Sequence, residues 1–139
     1  MIFDMLRHIK MEIEHDSKTN NINAHNASVT DYNEGIRLLN NFIRFRNKHF
    51  IPEKMDSEIQ SMIDSVDYKL KESKRKLNGI INPDSAVAEM ISQLNKSIDD
   101  VSIQAKEQQD WLKLYLCKGK VGRKLLFYDK ITLFGVPVK

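Results

Sequence analysis

The sequence predicts a mainly α-helical protein: an elongated helical bundle built on a long antiparallel helical hairpin, with a short β-prone tail at the C-terminus. Two observations carry this prediction. Apolar residues recur at alternating spacings of four and three in every long segment, as in helices that pack along a shared seam. Only 5 glycines and 3 prolines occur among the 139 residues. That is too few for the many turns of an all-β sandwich and unlike the composition of a disordered chain.

Four helices are predicted within a helical domain of residues 1–117, with boundaries good to about 2–4 residues. They cover about 1–16, 30–50, 56–78 and 85–117. Residues 17–29 are rich in Asn and Ser and show no apolar periodicity, so they are predicted to form a loop.

The clearest periodicity belongs to the helix at 85–117. Its seam consists of Val87, Ile91, Leu94, Ile98, Val101, Ala105, Gln108, Leu112 and Tyr115. Asp84 or Ser85 is expected to cap the start of this helix. Gln108 is the one fully polar member, and it either sets the register between helices or marks where the seam reaches solvent.

The long helix is expected to extend past its hairpin partner. At 1.5 Å per residue, 85–117 spans about 50 Å and 56–78 about 34 Å, so the last three turns overhang. The overhang carries four candidate protein-interface residues: Trp111, Leu112, Tyr115 and Leu116. The N-terminal helix, the C-terminal tail or another chain must cover them, and homo-oligomerisation is the expected solution.

Residues 118–139 form a basic and apolar tail, either part of the same domain or an assembly arm. The β-prone runs 125–128 and 131–134 flank Asp129 and Lys130, which is a weak hairpin signal. Residues 118–124 superficially resemble a phosphate-binding loop. They follow a helix and lack the required Ser or Thr, so nucleotide binding through this motif is excluded.

Basic residues are predicted to gather at one pole of the bundle, because a short link places the end of the second helix beside the end of the long helix. The candidate nucleic-acid contacts at this pole are Arg44, Arg46, Lys48, Lys118, Lys120, Arg123 and Lys124. Such a pole would neutralise phosphates. The alternative is that these residues complement helix dipoles and keep the protein soluble, and a net charge of +3 does not decide between the two.

No catalytic residue, cofactor or metal site is predicted, and the protein is not expected to be an enzyme. Glu12 and His15 form one Glu-x-x-His pair, but a di-metal centre needs a second pair, and His8 does not complete the site. Cys117 and His49 lack accompanying orienting and oxyanion-stabilising residues. A metal-dependent or thiol enzyme is therefore the least favoured class.

The location expected from the sequence is cytoplasmic. No apolar run approaches the ~20 residues that span a bilayer. Charged and polar residues interrupt the segment that would have to be the apolar part of a signal peptide, so export by that route is not expected. The single cysteine excludes an internal disulfide.

The predicted function is that of a non-catalytic helical interaction protein that self-associates or docks onto a protein partner, as adaptors, assembly factors and inhibitors do. The alternative is an oligomeric nucleic-acid-binding protein that uses residues 118–124 together with 44–48. Over about 56–139, a helical hairpin followed by a β-prone tail is similar in architecture to small DNA-packaging subunits of phages. This resemblance implies ring assembly and DNA binding.

Overall fold

The computed structural model describes residues 2–48, 51–119, 122–123, 132–133 and 136–137, and it is mainly helical. The long helices are α1 (Ile2–Lys48), α2 (Asp56–Asn78) and α3 (Ser85–Cys117). A short 3-10 helix, Glu53–Met55, precedes α2. Two strands of two residues each, β1 (Thr132–Leu133) and β2 (Val136–Pro137), pair antiparallel.

The helices α1 and α2 run in opposite directions and pack closely. Ser28 of α1 meets Ser73 of α2, and Gly35, two turns later, lies against Leu70. The two serines bond reciprocally: each hydroxyl lies 2.7 Å from the other residue's carbonyl oxygen, and the hydroxyl oxygens are 2.9 Å apart. Both are fully buried, so small side chains here let the helices approach.

The third helix runs parallel to α1. Near its start, the Asn21 amide of α1 donates to the carbonyl of Ile81 (3.4 Å), just before α3. Near its end, the guanidinium of Arg46 donates to the Gln108 side chain (2.6 Å). Both pairs are about sixty residues apart in sequence, so residues later in α1 contact residues later in α3. The two helices therefore run in the same direction.

The sequence prediction is correct in calling 2–16 and 30–48 helical and wrong at 17–29, where helix replaces the expected loop. Helices were expected at 1–16 and 30–50, with a loop at 17–29, but α1 is one continuous helix of 47 residues. No glycine or proline occurs before Gly35, so nothing in the backbone requires a break. The Asn- and Ser-rich stretch supplies the buried side chains of His25 and Ser28 to the seam. Because these seam residues are polar, the spacing of apolar residues does not predict the helix here.

The bounds of α2 and α3 coincide with the predicted ranges 56–78 and 85–117. The Asp84 carboxylate caps α3 by accepting from the Val87 amide (2.9 Å). Gln108 is buried and bonded to Arg46, so the seam does not reach solvent at that position.

Two clusters form the core. The larger lies toward the C-terminal ends of α1 and α3 and includes Leu39, Phe42, Ile63 and Leu112. The smaller gathers Leu77, Leu94 and Ile98 near the link between α2 and α3. Together the two clusters fill the interior between the three helices.

The C-terminal strands lie later than the predicted hairpin. Residues 132–133, within the predicted run 131–134, pair with 136–137, which follow that run. The predicted run 125–128 and the turn at Asp129 and Lys130 lie outside the described residues.

The close packing of α1 on α2 leads to a prediction for Gly35→Ala. Alanine normally stabilises a helix interior by about 1 kcal/mol relative to glycine. A Cβ atom at position 35 would lie 2.9 Å from Leu70 Cδ2 and 3.3 Å from Leu70 Cγ, and Leu70 is itself buried. We therefore expect the free energy of unfolding to fall by about 1 kcal/mol instead.

Urea titration followed by circular dichroism measures this change. Gly79→Ala is the matched control, because a Cβ there meets nothing nearer than 3.5 Å. A Gly35→Ala protein that is more stable than the wild type would show that the helices are farther apart than described.

Candidate functional site

The strongest functional feature is the N-terminal arm, which we define as residues 2–17 of α1. Lys18, the next residue, contacts the bundle: its ammonium lies 3.7 Å from the Asp84 carboxylate. Six large apolar side chains in the arm are exposed, at 49–85% of their surface: Ile2, Phe3, Met5, Leu6, Ile9 and Met11. The other five exposed large apolar residues in the described chain are scattered over α2, α3 and their link.

The apolar stripe of the arm is out of phase with the seam that packs α1 in the bundle. The seam follows heptad spacing through His25, Ser28, Gly35, Leu39 and Phe42. The same seven-residue spacing, continued toward the N-terminus, passes through 18 and 21 and then through 4, 7, 11 and 14. Lys18 and Asn21 contact the segment just before α3. The arm's stripe instead occupies 2, 6, 9 and 13. The stripe therefore does not continue the seven-residue register of the seam.

The polar residues of the arm are unevenly charged. Its first half contains Arg7 and Lys10 against Asp4, and its second half contains three acidic residues, at 12, 14 and 16. Two cations against four anions give the arm a formal charge of −2 with neutral histidines. The formal charge of the arm therefore changes from basic to acidic along the sequence.

The end of α3, predicted to extend past α2 and to need a cover, is covered within the chain. Trp111, Leu112 and Tyr115 are buried within the chain, and Leu116 is half-buried. Their cover is the C-terminal half of α1 together with Ile51, whose carbonyl accepts from the Tyr115 hydroxyl (3.2 Å). Of the covers that the sequence allows, the described chain itself supplies one, and homo-oligomerisation stays a prediction.

A stacked group, which we call the aromatic ladder, fills this end of the bundle. The Arg46 guanidinium lies 3.9 Å from the Trp111 ring centre, Trp111 stacks on Tyr115 at 4.8 Å, and the Arg123 guanidinium lies 4.9 Å from the Tyr115 ring. Arg123 also pairs with both carboxylate oxygens of Asp56, at 3.2 and 3.0 Å. The ladder joins α1, α3, the start of α2 and the segment after α3. Burial raises the pKa of the Tyr115 phenol, and the Asp56 bond raises the pKa of Arg123.

The ladder removes two of the seven predicted nucleic-acid contacts. Arg46 and Arg123 are buried and paired with protein groups, so neither presents its charge to a phosphate. Their burial has a physical reason: guanidinium planes stack on aromatic rings while their N–H groups bond to side-chain oxygens. Arg44 and Lys118 are exposed. The side chains of Lys48, Lys120 and Lys124 lie outside the described residues, and a role in nucleic-acid binding stays a prediction.

The part of the chain that the structure describes contains no cluster of side chains that would bind a metal ion or activate a thiol. Among the described side chains, no three His, Cys, Asp or Glu residues lie close enough to hold a metal ion. The side chains of Glu12 and His15 and all of His49 fall outside that part, while Cys117 is exposed. No helix in the described ranges is long and apolar enough to cross a membrane.

Sequence reasoning missed the arm as a surface because it assigned Ile2, Leu6, Ile9 and Ile13 to a separate helix that was free to fold back. The signal that identifies the arm is the phase of its stripe. The residues at 2, 6, 9 and 13 do not continue the seven-residue register of 28, 35 and 42. No sequence pattern predicts the aromatic ladder, because Arg123 lies after the last segment with periodic apolar residues.

The aromatic ladder leads to a prediction for Arg123→Gln. This change removes the paired bonds to Asp56 and the stack on Tyr115, and we expect the free energy of unfolding to fall by about 1–3 kcal/mol. Arg44→Gln, at an exposed position with no ring beneath it, is the control and should change stability by less than about 0.5 kcal/mol. Thermal and urea unfolding measure both variants. Equal stability of the two would contradict the structural role of Arg123.

Comparison of the chain with models of protein families, with curated proteins and with solved structures finds no match. The architectural similarity to phage DNA-packaging subunits gains no support from these comparisons. The functional argument therefore rests on the geometry of the bundle and its arm.

Proposed function

We propose that this protein is a non-catalytic helical interaction protein that docks onto a protein partner through its N-terminal arm. The observation that carries the proposal is the row of exposed apolar side chains on the arm, beside a bundle whose own seams are closed. A helix that presents apolar residues at spacings of three and four is the element that proteins recognise in helix-in-groove and coiled-coil interfaces.

The energetic case comes from the apolar surface involved. Fully burying a large apolar side chain is worth about 1.5–3 kcal/mol, and the arm offers six of them within ten residues. Contiguous apolar patches of this kind on soluble proteins mark interaction sites. Docking the arm on a partner removes this surface from water.

The arm is also prepared for docking because it is already helical. An isolated helix of this length is marginal in water, since its first turn is costly to form. Here the arm continues a helix that the bundle holds in place through Ser28 and Gly35, so the nucleating turns already exist. A partner then loses less free energy to the ordering of the arm.

The charge of the arm favours a protein partner over a lipid surface. Amphipathic helices that bind membranes carry Lys and Arg on the polar side, attracted to anionic headgroups. The arm has a formal charge of −2, so an anionic bilayer would repel it.

Photo-crosslinking tests the proposal. A photoreactive residue replaces Leu6 in the arm, and in the control protein it replaces Ile103, an exposed apolar residue on α3. We expect illumination of cells that make the protein to give covalent adducts with a protein from position 6 and not from position 103. Mass spectrometry of the adduct tells a second copy of this chain from a different protein. Absence of any protein adduct at position 6 would contradict the proposed function.

A further inference from the structure

We propose that the arm binds a helix of a different protein, and that this helix lies where α2 would lie if it continued past Asn78. The inference rests on the proposed function and specifies the shape and position of the partner. It depends on three observations: the side of α1 on which the arm's apolar stripe lies, the place where α2 ends, and the exposure of Ile81 beside that end.

The apolar stripe of the arm lies on the side of α1 that packs against α2. An α-helix has 3.6 residues per turn, so residues 22 apart are separated by just over six turns and differ in direction by about 40°. Leu6 is 22 residues before Ser28, which bonds to Ser73 of α2. Ile9 is 22 residues before Asp31, which pairs with two lysines of α2. The side of α1 that packs against α2 therefore continues into the arm.

The stripe leaves the seven-residue register of the seam but stays on this side of the helix. In a straight α-helix a seven-residue repeat drifts by about 20° per heptad, so it moves by about 60° over three heptads. Three heptads before Ser28 is Arg7, whose direction from the helix axis thus differs by about 60° from that of Ser28. Leu6, at about 40°, is closer to the direction of Ser28. The break in register therefore does not turn the stripe away from the line of α2.

The helix α2 ends before it reaches the arm. It runs opposite to α1, and its last residue, Asn78, comes five residues after Ser73. Five residues before Ser28 is residue 23, so α2 lies beside α1 only as far as about that position. Beyond it, three apolar side chains on this side of α1 are exposed: Ile2, Leu6 and Ile9.

Ile81 adds a further apolar contact where α2 ends. It lies in the link between α2 and α3, three residues after the last residue of α2, and its side chain is 72% exposed. Its carbonyl accepts from the Asn21 amide of α1 (3.4 Å), so the link lies beside α1 at the start of the arm. A helix that continued the line of α2 would cover Ile81 at one end and Ile2 at the other.

The length of this surface selects the kind of helix that covers it. Ile2 and Asn21 are 19 positions apart, which corresponds to about 28 Å of helix. The arm of a second copy, residues 2–17, spans only about 22 Å before its own bundle begins. The apolar seams of α2 and α3 in a second copy are already buried in its core. We therefore assign the surface to a helix of about nineteen residues with one apolar side, supplied by a different protein.

Photo-crosslinking from three positions of the full chain tests this geometry. A photoreactive residue replaces Leu6, Ile81 or Met11. Met11 is the matched control: it is an exposed apolar residue of the same arm, and it lies nine residues, or two and a half turns, from Ile2 and thus on the opposite side of the helix. We expect illumination of cells that make the protein to attach one and the same partner protein from positions 6 and 81, and no adduct with it from position 11.

The spacing of the adducts along the partner tests whether a single helix is bound. Leu6 and Asn21, the neighbour of Ile81, are 15 positions apart on α1, which corresponds to about 22 Å. Peptide mapping should therefore place the two modified residues about fifteen positions apart in the partner sequence. Ile81→Asp should lower the yield of the position-6 adduct severalfold without changing the circular dichroism spectrum, whereas Ile103→Asp, at an exposed site on α3, should leave that yield unchanged.

Four results would each overturn this inference and leave the proposed function standing. They are equal adducts from positions 6 and 11, an adduct from position 6 without one from position 81, modified partner residues whose spacing does not fit one helix, and an adduct with a second copy of this chain. If position 6 gives no protein adduct at all, the inference and the proposed function both fail.

Discussion

The close approach of α1 and α2 at Ser28 and Ser73 is the constraint on which the rest of the structure depends. Two buried hydroxyls satisfy each other and the facing carbonyls, so the helices meet without a large side chain between them. Two turns on, Gly35 leaves room for Leu70 in the same way. Because this contact lies within the polar stretch 17–29, that stretch is fixed as helix, and α1 continues unbroken from the bundle into the arm.

The aromatic ladder closes the opposite end of the bundle. Arg46 and Arg123 lie on the outer faces of the stacked Trp111 and Tyr115 rings, and the Asp56 carboxylate neutralises Arg123. The apolar end of α3 is thereby buried by the chain's own residues. With the seams closed between the two contacts, the exposed apolar surface of the residues with described burial is concentrated on the arm. A bundle with a buried core, joined to a helix with exposed apolar side chains, supports an interaction role.

Sequence reasoning predicted the parts of the fold whose apolar residues keep a strict period. In α2 the buried residues Ile59, Ile63, Val66 and Leu70 continue through Ser73 to Leu77, which is the spacing of the sequence pattern. It failed where polar residues occupy the seam, as at His25 and Ser28, because periodicity is read from apolar residues alone. It also could not foresee that Arg46 and Arg123 are buried, since each bonds to a side-chain oxygen sixty or more residues away. The arm's stripe was visible, but its exposure depends on α1 being continuous.

The distance between the two ends of α1 tests the central claim most directly. Spin labels at cysteines that replace Lys10 and Arg44, both exposed, report it by pulsed electron spin resonance, with Cys117→Ser removing the native thiol and unlabelled protein in excess. For one continuous helix, 34 residues at 1.5 Å each give a single narrow distance of about 51 Å. A broad distribution centred well below that value would show that residues 17–29 bend, and that the arm folds back instead of extending from the bundle.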